Sequence, residues 1–291
     1  MTPKSVPFTR FAWVTLLYNV AVSLWGAYVR ASGSGDGCGA NWPLCNGALV
    51  PLSAVDKTRI EFTHRFTTGI DLALVAILIY WAFRLFPKTH PARLGAILSG
   101  VFLLTEALIG ASLVLLRHVA GNTSPYRIYS LSTHLINTLT LLACLTLTAL
   151  WSSGHPRDRF QPRARITLAI VIFLGITGAI AALGDTLFPA HSLAEGIAQD
   201  FSAGASIFVR LRWLHPLIAL AATAWVLWYA ISRGIAQSRW VLGFLAAQLF
   251  AGALNLILMA PIWLQMLHLA IAYAFWIALV TLCANPRHSE F

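Results

Sequence analysis

The sequence predicts an all-α integral membrane protein with eight transmembrane helices arranged as two pseudo-symmetric four-helix bundles. Three observations carry this expectation. Mean hydropathy is +0.73, with 58% hydrophobic and only 10% charged residues over 291 positions, against roughly 25% charged in soluble domains. The apolar residues gather into eight runs, each near the roughly 20 residues a helix needs to cross about 30 Å of hydrocarbon. A stretch of the third run also reappears in the seventh. In lipid every backbone polar group must be satisfied within the segment, so such runs read as helices.

In chain order the runs fall at 11–30, 62–86, 94–116, 128–151, 166–183, 210–232, 240–258 and 262–283. The first follows Lys4 and Arg10 and superficially resembles a secretory signal. It is long for a signal core and has a counterpart later in the chain, so it reads as a span. The connections around Phe86 to Pro91, Trp151 to Arg165 and Ser232 to Ser238 are short and rich in Pro, Gly or Arg, as loops on one side of a membrane are. Lys4, Arg10, Arg84, Lys88, Arg93, Arg157, Arg159, Arg163, Arg165, Arg233, Arg239 and Arg287 all fall on that side, twelve of the twenty Lys and Arg. The positive-inside rule therefore predicts a multi-pass protein of the cell membrane with both termini cytoplasmic. The longer connections, 31–58 and 184–209, then face outward. The net charge of +10 is scattered at span ends and forms no basic face, which argues against a nucleic-acid partner and for membrane lipid.

The repeat is explicit. Phe102-Leu-Leu-Thr-Glu106-Ala-Leu-Ile-Gly110-Ala matches Phe244-Leu-Ala-Ala-Gln248-Leu-Phe-Ala-Gly252-Ala, each in the third helix of a four-helix set. Four helices return the chain to its starting side, so a tandem duplication predicts halves of like topology about an axis along the membrane normal. The expected organisation is an N-terminal half, 1–151, a cytoplasmic linker, 152–165, and a C-terminal half, 166–291.

Of nine histidines, His90, His118, His155, His191 and His288 fall in loops or at helix ends. The other four, His64, His134, His215 and His268, lie a few residues into each even-numbered span, at one depth near the outward side. A lone histidine in an apolar helix is usually a hydrogen-bonded packing residue. Recurrence at matched positions in both halves points instead to ligation. Zinc wants further Cys, His or carboxylate ligands close by, whereas haem takes one axial histidine from each of two facing helices. Two histidines per four-helix bundle is the haem count, and a bundle interior can seat such a ring.

Arg30, Arg65, Arg117, Arg127, Arg210 and Arg212 cluster near the depth where haem propionates would emerge, and guanidinium suits carboxylate; interfacial anchoring to lipid headgroups is the alternative. Glu61 sits three residues before His64 and so shares its helix face. Asp71 and Glu106 are the other intramembrane acids, for which a structural hydrogen-bonding role is expected. Cys38 and Cys45 in the first outward connection are spaced for a disulfide in an oxidising compartment. Cys144 and Cys283 read as small buried apolar residues.

These residues resemble a known family. Gly26-Ala-Tyr-Val-Arg30-Ala-Ser-Gly-Ser-Gly, the Cys38 to Cys45 loop, Glu61-Phe-Thr-His64-Arg65 and the three further helix-start histidines are similar to haem A synthase, over nearly the whole chain. The resemblance implies an enzyme that oxidises a methyl group of haem O to a formyl group by successive hydroxylations. It implies His64 and His134 as ligands of substrate haem O in the N-terminal half, and His215 and His268 as ligands of a resident haem b. Glu61 would act at the reacting methyl, and Arg30, Arg65, Arg127 and Arg212 would contact propionates. A haem O synthase, terminal oxidase assembly and a thiol-disulfide exchange protein are the partners it implies. Some relatives carry a second cysteine pair in the outward connection of the C-terminal half; Gly184 to Ile207 has none, so any thiol role falls to Cys38 and Cys45.

Two rival readings stand beside this one. A bis-histidine diheme electron carrier fits the four histidines equally, but the position matching Glu61 is Arg212, so the two sites differ chemically. A transporter built from duplicated halves fits the repeat. It expects broken helices at the symmetry axis, and the sequence predicts unbroken spans.

Overall fold

The computed structural model describes residues 5–51 and 55–285; Lys4, Arg287 and His288 of the foregoing analysis lie outside them. Regular structure among the described residues is helical, apart from an isolated bridge between Cys45 and Ala48. The helices are α1 (Ser5–Ala31), α2 (Asp56–Leu85), α3 (Pro91–Leu115), α4 (Tyr126–Ser152), α5 (Pro162–Leu187), α6 (Leu193–Asp200), α7 (Ile207–Arg212), α8 (Leu214–Ser232), α9 (Ile235–Ile257) and α10 (Ile262–Ala284). Eight spans are long and apolar enough to cross a bilayer, with α7 and α8 together forming one, Ile207–Ser232.

Helix ends follow local chemistry. Pro91 and Pro162 open α3 and α5, where a missing N–H costs nothing, and the His90 ring accepts from the Ala92 amide as an N-cap. Gly234, at φ 96°, makes the turn between α8 and α9 that a Cβ would resist. Arg117 and Met259, which the repeat register pairs, both take positive φ (56° and 55°) just after α3 and α9.

Two features depart from the expected spans. The sixth is interrupted at Trp213, immediately before His215. Pro216 is the cause: it has no N–H for the Arg212 carbonyl, and its ring crowds that carbonyl. The second is α6, a short helix in what reads from sequence as a plain outward connection. Ser192 accepts from the Glu195 amide (3.2 Å) while the Glu195 carboxylate accepts from the His191 amide (2.8 Å), a reciprocal cap that starts this helix.

Within the first half α1 packs on α2, α2 on α3, α3 on α4 and α4 back on α1; in the second, α5 packs on α7 and α8, α8 on α9, and α9 on α10, which returns to α5. The halves meet through α4 against α5 and α10, and α1 against α10. This central position explains why α4 is the most buried span and contributes Leu141, Leu142, Leu145 and Ala149 to the fully buried core. The Trp276 indole of α10 donates to the Leu139 carbonyl (2.8 Å) across that seam. Leu17, Tyr80, Leu104, Leu220, Trp240 and Phe250 are exposed, an apolar perimeter suited to lipid.

Candidate functional site

Each histidine of interest faces a glycine on the membrane span preceding its own. A Cβ on Gly26 of α1 would stand 2.9 Å from the His64 ring, and one on Gly178 of α5 the same distance from the His215 ring. The corresponding distances are 3.3 Å from Gly252 of α9 to His268 and 3.9 Å from Gly110 of α3 to His134. Hydrogen in place of a side chain lets each imidazole lie against the neighbouring backbone. His64 and His134 lie on α2 and α4, and His215 and His268 on α8 and α10, so each group of four spans carries two of them.

Their partners are not alike. The His64 Nδ1 is buried with no hydrogen-bond partner. The His134 Nδ1 lacks one too, but lies 3.7 Å from Glu106 Oε1. In the second half, His215 Nδ1 is 3.1 Å from the Thr177 hydroxyl, and His268 Nε2 is 3.1 Å from the Gln248 amide while its Nδ1 is buried without a partner. A buried nitrogen without a partner is costly. Histidines in both halves, each cradled by glycine, suit a flat iron macrocycle ligated on both faces.

Glu61 is 3% exposed and both carboxylate oxygens are engaged: Oε2 accepts from the Cys38 amide (2.8 Å) and Oε1 from the Arg65 guanidinium (2.5 Å). Cys38 and Cys45 form a disulfide. Arg65 also donates to the carbonyls of Asn41 (2.7 Å) and Leu44 (2.8 Å), and Thr58 donates to the Gly37 carbonyl (2.7 Å). The acid three residues before His64 thus ties the disulfide loop to the helix that carries His64.

Arg212, three residues before His215, does the same with opposite charge. It donates to Asp200 (2.6 Å), Asp185 (3.3 Å) and the Gly196 carbonyl (2.9 Å), holding α6 over its half. Burial raises the Asp200 carboxyl above the ordinary carboxylate range, and Arg212 opposes that rise. Arg127 donates to the carbonyls of Ala120 (2.6 Å) and Asn122 (2.8 Å). Arg30 of α1 reaches the other half, donating to the Ala182 carbonyl (3.0 Å), Thr186 (2.9 Å) and Gln265 (3.3 Å). All four arginines expected at propionates are hydrogen-bonded to protein groups: Arg65 and Arg127 to carbonyls of the connecting loops, Arg212 to Asp185 and to α6 and its end, and Arg30 to the spans α5 and α10.

Asp71 is fully buried and accepts from the Asn19 amide of α1. Cys144 and Cys283 are buried free thiols. The sequence reading passed over Thr177, the pairing of Glu106 with His134, and that of Gln248 with His268. The last two have a signal, since the repeated decapeptide contains both Glu106 and Gln248 as well as both Gly110 and Gly252.

Residues 9–280 match the COX15-CtaA family model, described as a cytochrome oxidase assembly protein. The chain is 45% identical over 301 residues to a Thermus thermophilus protein named Protoheme IX farnesyltransferase, covering 98% of this chain and 49% of the relative. It is 29% identical over 192 residues to the Heme A synthase of Alkalihalophilus pseudofirmus, covering 66% of this chain and 62% of that protein. It is also 38% identical over 104 residues to the Heme A synthase of Halalkalibacterium halodurans, 36% of this chain and 35% of that protein. The chain spans about half the length of the Thermus relative. With the family model spanning nearly all of it, and the resemblance read from the Glu61 to Arg65 motif agreeing, this chain belongs to the COX15-CtaA family of cytochrome oxidase assembly proteins.

Proposed function

We propose that the chain oxidises a ring methyl of haem O to the formyl group of haem A. In this reading the N-terminal half, 1–151, holds haem O between His64 and His134, the C-terminal half, 166–291, holds a resident haem b between His215 and His268, and 152–165 links them. The observation that carries it is the inequality of two otherwise matched sites. Each half presents a histidine pair cradled by glycine, yet one is accompanied by Glu61 and Glu106 and the other by Arg212 and Gln248. A substrate site beside a cofactor site calls for such a difference, and Glu61, beside one histidine pair only, supplies a group for chemistry at a ring methyl.

This chain's residues then divide the work. The histidines orient the two rings. Bound haem supplies redox reactivity that side chains lack. Glu61, a buried carboxylate one helical turn from His64, is placed to stabilise positive charge or accept a proton at the reacting methyl, where two successive two-electron hydroxylations, each drawing an oxygen atom from dioxygen or water and passing its electrons to an external acceptor, would give a diol that loses water to the aldehyde. Its bonds to the Cys38 amide and Arg65 hold the disulfide loop over this half, excluding water. Propionate contact by Arg30, Arg65, Arg127 or Arg212 requires each to exchange a protein partner for the ligand.

The relatives named Heme A synthase support the oxidation. For the Thermus relative, we assign oxidation to the matched half and farnesyl transfer to the remainder. A haem-farnesylating enzyme then supplies haem O, and the product passes to terminal oxidase assembly. We place the protein in the cell membrane, termini cytoplasmic and disulfide loop outward, where a thiol-disulfide exchange protein has access to Cys38 and Cys45.

The test is to co-express the chain with a haem O source and identify the extracted haems by chromatography and mass. Wild type yields haem A, while Glu61→Gln accumulates haem O or a hydroxylated intermediate. Wild type carrying only haem b, however much haem O is supplied, makes the diheme carrier the better account. Production of haem O from protohaem and farnesyl diphosphate would instead assign farnesyl transfer to this chain.

A further inference from the structure

We infer that Glu106 is a positioning residue that gives His134 anionic character as an iron ligand and thereby sets the reduction potential of the N-terminal haem apart from the C-terminal one. The inference rests on the haem-binding reading above.

A carboxylate inside a membrane bundle is costly and persists where something holds it. Glu106 is held by α4: Asn137 and Thr138 donate to its two oxygens. Asn137 is itself fixed, donating to the Phe102 carbonyl (2.8 Å) and accepting from Thr105 (2.7 Å). This network aims Oε1 at His134 Nδ1, 3.7 Å away, a nitrogen with no other partner. If Nε2 were to hold iron, the Nδ1 proton would face a carboxylate.

The repeat supplies an internal control. In the register that pairs Phe102 with Phe244 and His134 with His268, Thr105 becomes Ala247, Glu106 becomes Gln248, Asn137 becomes Ile271 and Thr138 becomes Ala272. The acid and all three side chains that support it are present in one half only; in the other, the neutral Gln248 amide stands 3.1 Å from His268 Nε2 and the His268 Nδ1 has no partner. A carboxylate facing the free nitrogen of a ligating imidazole raises its basicity and favours ferric iron, and the matching position of the other half carries no charge. The N-terminal haem is accordingly the lower-potential one.

Reductive titration of the purified, haem-loaded full chain, followed by visible absorption, tests this. Glu106→Gln is expected to raise one of two midpoints by at least a tenfold change in the ferric-to-ferrous ratio, about 59 mV for a one-electron couple, leaving the other in place. Glu106→Asp is expected to restore part of that shift. Unchanged midpoints in Glu106→Gln with haem content intact would overturn the inference, as would an equal shift of both midpoints. If Glu106→Gln fails to retain its haem, Glu106→Asp decides: one midpoint raised supports the inference and unchanged midpoints overturn it. Wild type lacking two histidine-ligated haems would overturn the haem reading itself, a failure distinct from a missing shift.

Discussion

Replacing Gly26 with alanine puts a methyl carbon 2.9 Å from Cε1 and 3.0 Å from Nε2 of His64, whereas ordinary carbon contacts begin near 3.4 Å. The ring must retreat by about half an ångström or twist from its rotamer, at about 0.5–1.5 kcal/mol. Alanine is a better helix former than glycine by roughly 1 kcal/mol, so the melting temperature should stay nearly level while the ligand geometry moves. On the ligated state a cost of about 0.5–1.5 kcal/mol is roughly a 2- to 13-fold loss in occupancy. The repeat turns this into a graded series. Gly178→Ala, also at 2.9 Å, should deplete the C-terminal haem as strongly; Gly252→Ala at 3.3 Å should deplete it mildly; Gly110→Ala at 3.9 Å should be tolerated. Haem per chain, quantified by extraction and mass alongside a thermal melt, reads the series. Full haem retention by Gly26→Ala and Gly178→Ala, or heavier loss from Gly110→Ala, would refute the cradle reasoning.

Glu61→Ala leaves the Cys38 amide and the Arg65 guanidinium without their buried acceptor, a local cost of about 1–3 kcal/mol; limited proteolysis should then cut within 38–50 faster than in wild type, with haem b retained. Replacing Cys38 and Cys45 together by serine removes a cross-link worth about 2–3 kcal/mol for so short a loop, and haem A yield should fall several-fold while haem b content holds, as pigment analysis would read. Arg212→Met removes the cation beside Asp185 and Asp200 and should cost about 3 kcal/mol. An acid whose folded pKa is raised binds its proton more readily when folded, so stability falls as pH rises from the ordinary value near 3.8 through the raised one; without Arg212 opposing the rise at Asp200, that loss should extend to higher pH than in wild type, as melts across pH 4–7 would show.

The spans were legible because hydropathy reports transfer into lipid directly, and helix ends overrun the apolar runs only by a turn or two, as at Ser5 and Asp56. The four histidines and the disulfide loop were legible too, since chemistry in an apolar background stands out. What the sequence hid is mostly a matter of partners. That Arg65 and Arg212 clamp loops rather than stand free depends on how residues 41–44 and 185–200 fold back, and no periodicity encodes it. The break at Trp213 had a local signal in His215-Pro216 but was masked by a run of hydropathy continuous across it. A broken span is one feature expected of a transporter; the glycine-cradled histidine pairs still favour haem. The short helix α6 was hidden because eight residues of mixed polarity give little pattern, although Ser192 and Glu195 spell its cap.

The account turns on two histidine pairs with different occupants. The most direct measurement is the mass-identified haem content of purified wild type, of the His64→Ala/His134→Ala double variant and of the His215→Ala/His268→Ala double variant, each made with haem O supplied. The account predicts that the first double variant keeps haem b and loses haem O and haem A, while the second loses haem b. If either double variant lowers haem b and haem O or A in equal proportion while the chain remains folded, the division into substrate half and cofactor half is contradicted.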